Sequence, residues 1–167
     1  MTNDKVIIAG GGIGGLTLGL TFHQIGVPFV VLETSRYMRP MGVGINIQPN
    51  AVRELFDLGL TPDILDTIGV PAKEWALVGL NGREVYAEAR GLDAGYKWPQ
   101  YAAHRGELQM LLYRTLLERA GAGSVVLDAR VDGYVKEPTG EVSVSFSKSD
   151  GAACQVSGSL LIGADGI

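Results

Sequence analysis

The apolar and glycine-rich segments alternate most regularly at the start of the chain. Residues 5–9 form a short apolar run rich in β-branched side chains, which predicts a buried parallel strand. The glycines of residues 10–15 follow directly, and residues 16–25 then predict a helix. A second apolar run, Phe29 to Leu32, ends at Glu33. Strand, helix and strand in this order predict a βαβ unit with parallel strands.

The following segment predicts two short helices. Residues 37–48 predict a loop that gives way to a short extended piece. Pro49 stands where the first turn of a helix tolerates proline, and Gly59 ends that helix. Thr61 is the predicted N-cap of a second short helix, which ends by Gly69.

The rest of the chain predicts a hairpin, one long helix and several strands. Residues 74–80 and 84–89 flank Asn81-Gly82, a strong signal for a hairpin turn. Leucines recur along one face of residues 105–120, and this periodicity predicts a helix. Turn residues separate four further predicted strands, at 125–127, 134–136, 142–146 and 154–162.

Length and charge favour a single acidic domain. A chain of 167 residues is enough for one domain with a real core and rarely enough for two. Its 24 glycines and 46% hydrophobic residues suit an α/β protein with many tight turns. Eighteen acidic and 14 basic residues give a net charge of -4 without a run of like charge. We therefore expect no nucleic-acid partner, because the basic footprint for phosphates is missing.

Few residues of the chain could form a metal site or a disulfide. Cys154 is the only cysteine, which excludes an intrachain disulfide. His23 and His104 are far apart and lack the spacing of metal ligands, so we predict no metal site. The first strand starts too early for a signal peptide to precede it, and no apolar run is long enough to span a bilayer. The expected location is the cytoplasm, without membrane contact.

The glycine segment has the spacing of a phosphate-binding turn. Gly10, Gly12 and Gly15 match G-x-G-x-x-G, in which the first glycine permits the tight turn and the second lets a pyrophosphate approach the backbone. The third brings helix and strand close together. The helix start, with Ile13 and Gly14, adds unpaired N–H groups. A tight turn without a ligand is the alternative, but the position between strand and helix favours a dinucleotide.

Glu33 is the candidate for the ribose of that dinucleotide. It lies 18 residues after Gly15, at the end of the second predicted strand, where a carboxylate can accept both ribose hydroxyls. An ordinary exposed charge at a strand end is the alternative. Glycines and acid together do not distinguish FAD from NAD.

Three further segments carry a resemblance to a known family. They are residues 42–51 (Gly-Val-Gly-Ile-Asn-Ile-Gln-Pro-Asn-Ala), residues 104–108 (His-Arg-Gly-Glu-Leu) and residues 163–166 (Gly-Ala-Asp-Gly). With the glycine motif, they resemble in kind and order the motifs of class A flavoprotein monooxygenases, the family of para-hydroxybenzoate hydroxylase. Residues 101–110, with residues 42–48, are most similar to phenazine hydroxylases of the pyocyanin-pathway type.

The resemblance implies an α/β fold. This is a Rossmann-like FAD-binding domain of the glutathione-reductase type, built on the βαβ unit, with additional β-strands from an incomplete substrate domain. The FAD-binding domain would occupy residues 1–167 and be truncated after the Asp-Gly motif. Residues 74–100 would be an excursion into the substrate-domain sheet.

The resemblance also implies contacts to FAD. Val43 and Gly44 would pass beside the flavin ring and ribityl chain, and Arg105 would reach the flavin side of the cofactor. Asp165 would serve FAD and the reducing nicotinamide cofactor. The alternative for Gly44, together with Gly42, is a plain flexible loop. For Arg105 it is a surface ion pair, and for Asp165 a simple turn aspartate.

Two more residues are predicted at the adenosine end. Arg36 could flank adenosine, although a solvated loop charge explains it equally well. Val131, after a predicted strand, would touch adenine through its backbone.

The activity that the resemblance implies is hydroxylation of a small aromatic substrate. NADH or NADPH would reduce FAD, and O₂ would react with the reduced flavin. Because the cofactor supplies this chemistry, no catalytic residue is assigned.

Two other classes stay open from the sequence. A nicotinamide-only Rossmann oxidoreductase would share the glycines and Glu33, but it gives no reason for Arg105 or for the Asp165-Gly166 ending. A non-enzymatic fragment that folds by association is the second alternative. Such a fragment would be inactive alone, and exposed sheet surface would favour a homo-oligomer.

Overall fold

The computed structural model describes residues 4–166, which form two compact units. The first unit combines the described residues up to Pro40 with those from Gln109 onward, and the second comprises Met41–Leu108. In chain order the helices and strands are β1 (Val6–Ala9), α1 (Ile13–Gln24), β2 (Phe29–Leu32), β3 (Gly44–Ile47), α2 (Pro49–Asp57), α3 (Pro62–Leu65), β4 (Gly69–Ala72), β5 (Glu74–Val78), β6 (Glu84–Ala89), β7 (Gln100–His104), α4 (Arg105–Ala120), β8 (Val125–Val126), β9 (Arg130–Lys136), β10 (Val142–Ser147), β11 (Ala153–Gly158) and β12 (Leu160–Gly163).

A parallel sheet with the strand order β12-β1-β2-β8 forms the centre of the first unit. All four residues of β1 are buried, as expected of a strand that has neighbours on both sides and cover on both faces. From β1 the chain passes outward to β2 and β8, and then returns to the other side of β1 as β12. This reversal leaves a crevice at the carboxyl ends of β1 and β12, where open α/β sheets bind their ligands.

An antiparallel sheet with the order β11-β10-β9 packs on one face of the parallel sheet. Side chains alternate along each strand, so every second residue of β1 and β2 points toward this sheet. The apolar cluster between the two sheets has a buried centre, made of Ile7, Val30, Leu32, Ala129, Val144 and Phe146.

Helix α1 lies close to the described part of α4 within the first unit. A Cβ added at Gly19 of α1 would lie 3.0 Å from a methyl carbon of Leu116 and 3.2 Å from a ring carbon of Phe29. Leu16, Leu20 and Leu116 are almost completely buried there. The glycine therefore permits the close packing of helix on helix and on the end of β2.

The second unit is built around a three-stranded antiparallel sheet with the order β3-β7-β4. Helices α2 and α3 supply its fully buried side chains, Val52 and Leu65, together with Leu60 between them. Thr61 occupies the N-cap position of α3, as predicted, but its hydroxyl donates to the Asp63 carboxylate and makes no cap bond to the backbone.

Hairpin β5–β6 forms a separate two-stranded sheet in this unit. Its turn contains Gly82 at φ +77°, as the Asn81-Gly82 signal predicted. Trp75 and Tyr86 pack with ring centroids 6.0 Å apart, yet both side chains are about half exposed. Two-stranded hairpins are at best marginally stable without cover. The expectations of a substrate-domain sheet or of a second copy at these strands stay predictions.

The predicted α/β class and the βαβ unit are confirmed. The boundaries of β2 and α4 agree with the prediction, while α1 begins three residues earlier, inside the glycine motif. Strands β4 and β7 were missed, because their short mixed sequences have no clear period and form only by pairing with each other and β3.

The single strand predicted at residues 154–162 is wrong: the chain forms β11 and β12, which belong to different sheets. The change of sheet occurs at Gly158 and Ser159. A Cβ at Gly158 would lie only 2.2 Å from the Lys5 carbonyl oxygen, and the Ser159 N–H donates to that same carbonyl. Ser157, Gly158 and Ser159 interrupt the apolar positions of residues 154–162 at this point, and the prediction of one strand overlooked that signal.

A buried phenol ties the sheet of the second unit to its helical part. Tyr101 of β7 is 1% exposed, and its hydroxyl donates to Asp66 Oδ1 over 2.8 Å. Burial, and then the hydrogen bond to the negatively charged Asp66, raise the pKa of Tyr101 to about 12. The protonated phenol is the form that stabilises the fold.

We expect Tyr101→Phe to lower the free energy of unfolding by about 1 kcal/mol at neutral pH, because one hydrogen bond is lost. The difference from the unchanged protein should shrink as the pH rises from about 10 toward about 12, since the unfolded chain ionises its tyrosines near pH 10. Urea unfolding at several pH values measures this. Tyr134→Phe, at an exposed position, is the control; an equal pH trend in both variants would contradict the assignment.

Candidate functional site

The glycine turn between β1 and α1 is packed so closely that two of its glycines are obligatory. A Cβ at Gly15 would lie 1.9 Å from the Gly10 carbonyl oxygen. A Cβ at Gly10 would lie 2.4 Å from the Ala164 carbonyl oxygen, and Gly10 has a φ of +117° that other residues avoid. Gly10 and Gly15 are therefore required by the fold itself.

Gly12 and Gly14 face open space instead. A Cβ at Gly12 would have its nearest neighbour 3.9 Å away, and one at Gly14 would meet no atom within 4 Å. Gly12 has φ −72° and ψ −178°, which any residue can adopt. The fold alone thus gives no reason for glycine at position 12. Backbone approach by a ligand does give one.

The same turn presents backbone donors without partners. The N–H groups of Gly12, Ile13, Gly14 and Gly15 have no acceptor among the described residues, and the first helical bond runs from Leu16 N–H to the Gly12 carbonyl. Unpaired donors at a helix N-terminus, together with the helix dipole, favour an anion.

Glu33 lies directly beside this turn. Its Oε2 accepts a hydrogen bond of 2.6 Å from the Gly11 N–H, and its Oε1 accepts one of 2.7 Å from the Ser35 N–H. The carboxylate is half-buried, and each oxygen can still accept a further bond. The structure therefore brings together the predicted phosphate turn and the predicted ribose acid.

A cavity of about 330 Å³ opens at the carboxyl ends of the parallel strands, in the crevice next to β1. Asp165 and Val131, predicted from separate parts of the sequence, both line it, as does Gly10. The other lining residues are Ala9, Leu32, Thr34, Ala129, Arg130, Leu161 and Gly163.

Arg36 belongs to a neighbouring cluster of polar side chains. It lies 3.7 Å from Asp128 and donates to the Ser149 hydroxyl. The hydroxyl and N–H of Ser149, and then the Arg36 guanidinium, hold the pKa of Asp128 below its ordinary value. Arg36 is thus engaged with the protein's own loops, in line with the alternative of a loop charge.

Val43, Gly44 and Arg105 lie together in the second unit. The Arg105 N–H donates to the Val43 carbonyl, and Gly44 pairs with His104 in the strand register. Arg105 is exposed, and none of the ion pairs among the described residues includes it. An added Cβ at Gly42 would touch the Arg105 side chain at 3.4 Å. The predicted set is therefore contiguous, with the cation free for a ligand.

Gln109 is a residue of this site that sequence reasoning missed. Its Nε2 donates to the Gly11 carbonyl over 2.9 Å. The two residues are 98 positions apart, and no motif spacing links them. Only the packing of α4 brings this side chain to the glycine turn.

Other kinds of site find little support in the described part of the chain. Residues 4–166 contain no group of three or more histidine, cysteine, aspartate or glutamate side chains that could hold a metal ion. None of the helices formed by these residues has the length and apolar character needed to cross a membrane.

We expect substitution of Gly15 to destabilise the fold, and substitution of Gly12 or Gly14 not to do so. Gly15→Ala should lower the free energy of unfolding by about 3 kcal/mol, because the new methyl group overlaps the Gly10 carbonyl. Gly14→Ala should raise it by about 0.5 kcal/mol, because alanine suits a helix and meets no neighbour. Gly12→Ala should leave it nearly unchanged. Urea denaturation of the three variants checks the order, and equal losses at positions 12 and 15 would show that Gly12 is structural.

Comparisons with known proteins agree on one family. A family model described as an FAD binding domain matches residues 3–167. Phenazine 1,6-dicarboxylic acid hydroxylase of Lysobacter antibioticus is 43% identical over 99% of this chain and 41% of its own length. The chain thus spans about two fifths of that relative.

Solved structures share the fold. The p-nitrophenol 4-monooxygenase of Pseudomonas putida has a TM-score of 0.84 at 20% identity, over 99% of this chain and 41% of that one. A variant of HpxO from Klebsiella pneumoniae, crystallised with FAD, has a TM-score of 0.72 at 30% identity, over 98% of this chain and 40% of that one.

Proposed function

Because this chain belongs to the FAD binding domain family, we propose that its glycine turn holds the diphosphate of FAD in a flavoprotein monooxygenase that hydroxylates an aromatic compound. The relatives support the reaction class: one is by name a phenazine 1,6-dicarboxylic acid hydroxylase, and another is an FAD-dependent urate hydroxylase. A planar, electron-rich ring compound is the substrate class that such names favour.

One observation carries the proposal. Gly12 has open space where its side chain would be, a backbone conformation open to any residue, and an N–H without an acceptor among the described residues. A diphosphate oxygen in that space would accept from Gly12 and the following helix N-terminus, as glycine-rich turns bind phosphate. The residues present therefore fit the cofactor that the family implies.

The positions of three other residues of the first unit suggest their roles in binding FAD. Glu33, already held by the Gly11 and Ser35 N–H groups, presents its remaining lone pairs to the ribose hydroxyls. Val131 lines the cavity at the strand ends and offers backbone groups to adenine. Asp165 lines the same cavity next to Gly10. We assign these three residues to the adenosine and diphosphate half of FAD.

The chain's contribution to the reaction is binding and orientation. When bound, FAD supplies the redox and oxygen-transfer chemistry. The glycine turn and Glu33 hold the cofactor by its diphosphate and ribose, which fixes its position without a proton transfer by the protein. NADH or NADPH as the reductant, O₂ as co-substrate, and contact of Val43, Gly44 and Arg105 with the flavin part stay predictions of this proposal.

The alternatives from the sequence gain no support. A nicotinamide-only oxidoreductase shares the glycine turn, yet the matching family model is described by FAD and a 30% identical structure was crystallised with FAD. The comparisons likewise contain nothing that favours a non-enzymatic module.

We expect Glu33→Ala to weaken FAD binding by about 2–3 kcal/mol, because charge-assisted hydrogen bonds to the ribose are lost. Fluorescence titration of FAD measures the dissociation constant. Glu118→Ala, an exposed acid on α4, is the control for the change in net charge.

Glu33 also anchors the glycine turn, so the ribose role needs its own test. The unchanged protein should bind ADP more tightly than an ADP analogue that lacks both ribose hydroxyls, and Glu33→Ala should bind the two equally. Such a cycle isolates the interaction of the acid with the hydroxyls. Discrimination that survives in the variant would refute the ribose contact.

The activity is tested on a protein that carries this chain at the full length of its relatives. We expect such a protein to purify yellow and to oxidise NADH or NADPH faster when a phenazine carboxylate is added, with a hydroxylated product by mass spectrometry. Gly12→Val should abolish both colour and turnover, because its side chain would fill the space at the turn. If the full-length protein without substitutions is colourless although its stability is normal, the result counts against the proposal.

A further inference from the structure

The glycine turn is held by side chains as well as by its own backbone. Gln109 Nε2 donates to the Gly11 carbonyl over 2.9 Å, and Glu33 Oε2 accepts from the Gly11 N–H over 2.6 Å. One glycine thus has both of its backbone polar groups bonded to side chains from distant parts of the chain. A loop whose only task is to reverse direction does not require this.

These bonds fix the two peptide units on either side of Gly11. In the Gly10–Gly11 peptide, the Gly11 N–H donates to Glu33, and the Gly10 carbonyl packs against Gly15. The following unit joins the Gly11 carbonyl to the Gly12 N–H. For this second unit, Gln109 is the only side-chain partner among the described residues.

The direction of the Gly12 N–H follows from peptide geometry. The described residues contain no cis peptide bond, and in a planar trans peptide the carbonyl and the N–H point in opposite directions. A carbonyl held toward Gln109 therefore turns the Gly12 N–H away from α4. That N–H has no acceptor among residues 4–166, and the space beside Gly12 is open.

We propose that Gln109 is a positioning residue, which orients the Gly11–Gly12 peptide so that the Gly12 N–H donates to the cofactor diphosphate. The inference rests on the proposed function, because the diphosphate is the ligand of this turn. Gln109 itself makes no contact with the cofactor in this role and acts through the peptide.

The chemistry of the side chain suits the task. A primary amide is a neutral donor that stays protonated at every physiological pH. A glutamate would place a carboxylate oxygen against the Gly11 carbonyl oxygen and add negative charge near a dianionic ligand. The helix that carries Gln109 is held in place by packing, because its Leu112 and Leu116 are fully buried. Because the Gly12 N–H is already oriented before the ligand binds, binding costs less conformational entropy.

The test compares FAD and ADP, which share the diphosphate. Gln109→Met keeps the length of the side chain and removes the donor, and Gln109→Glu repels the carbonyl. We expect Gln109→Met to raise the dissociation constants of FAD and ADP by the same factor, roughly fivefold to tenfold, which is the effect of one hydrogen bond. Gln109→Glu should raise both further. The melting temperature without ligand should change little in Gln109→Met, and Glu118→Gln on the exposed face of α4 is the control.

The outcomes separate the two proposals. An unchanged protein that binds neither FAD nor ADP overturns the proposed function and this inference with it. Normal binding by both Gln109 variants overturns this inference alone. If Gln109 had a purely structural role, the variants would lose melting temperature in proportion to their loss of affinity. That result would overturn this inference, and so would a variant that binds FAD more weakly but ADP normally. As a further readout, the amide resonance of Gly12 should shift in Gln109→Met without ligand; an unmoved resonance contradicts the orienting role.

Discussion

The close approach of α1 to the end of β1 is the constraint on which the first unit depends. At Gly15 no side chain fits, because the Gly10 carbonyl occupies the place of the Cβ, and at Gly10 the backbone of Ala164 does the same. One turn therefore holds β1, α1 and the end of β12 together. Because the turn lies at the reversal of strand order, the packing that builds the sheet also opens the crevice beside it.

Hydrogen bonds from neighbouring side chains also order the glycine turn. Glu33 and Gln109 bind the N–H and the carbonyl of Gly11, so the turn is ordered by contacts to β2 and α4 as well as by its own chain. The donors from Gly12 to Gly15 are left without partners among the described residues. A site of this kind is organised before its ligand binds, and association then costs less conformational entropy.

The second unit has a different balance of buried and exposed surface. Its three-stranded sheet has a real core, with Tyr101, Val52 and Leu65 almost completely buried. Hairpin β5–β6 exposes large apolar side chains, among them Trp75, Leu77 and Val85. Exposed apolar surface of this extent commonly marks an interface with other parts of a protein or with a partner.

The sequence by itself determined the βαβ unit, the long helix, the Asn81-Gly82 hairpin and the spacing of the phosphate turn. These features depend on residues close together in the chain, through apolar periodicity, turn chemistry and glycine conformation. Glu33 could be predicted for the same reason, since it ends a strand at a set distance from the glycines.

Only the tertiary structure decided which residues meet across the chain. The Ser-Gly-Ser segment at residues 157–159 permits a break between β11 and β12, but that the two strands join different sheets follows from the packing of Gly158 and Ser159 against Lys5 at the other end of the chain. Gln109 carries no local signal, because its partner is 98 residues away. Gly12 and Gly15 are equivalent as letters of the motif, yet Gly12 faces open space and Gly15 faces the Gly10 carbonyl oxygen. Contacts of this kind depend on how elements pack, and a pattern of neighbouring residues does not contain that information.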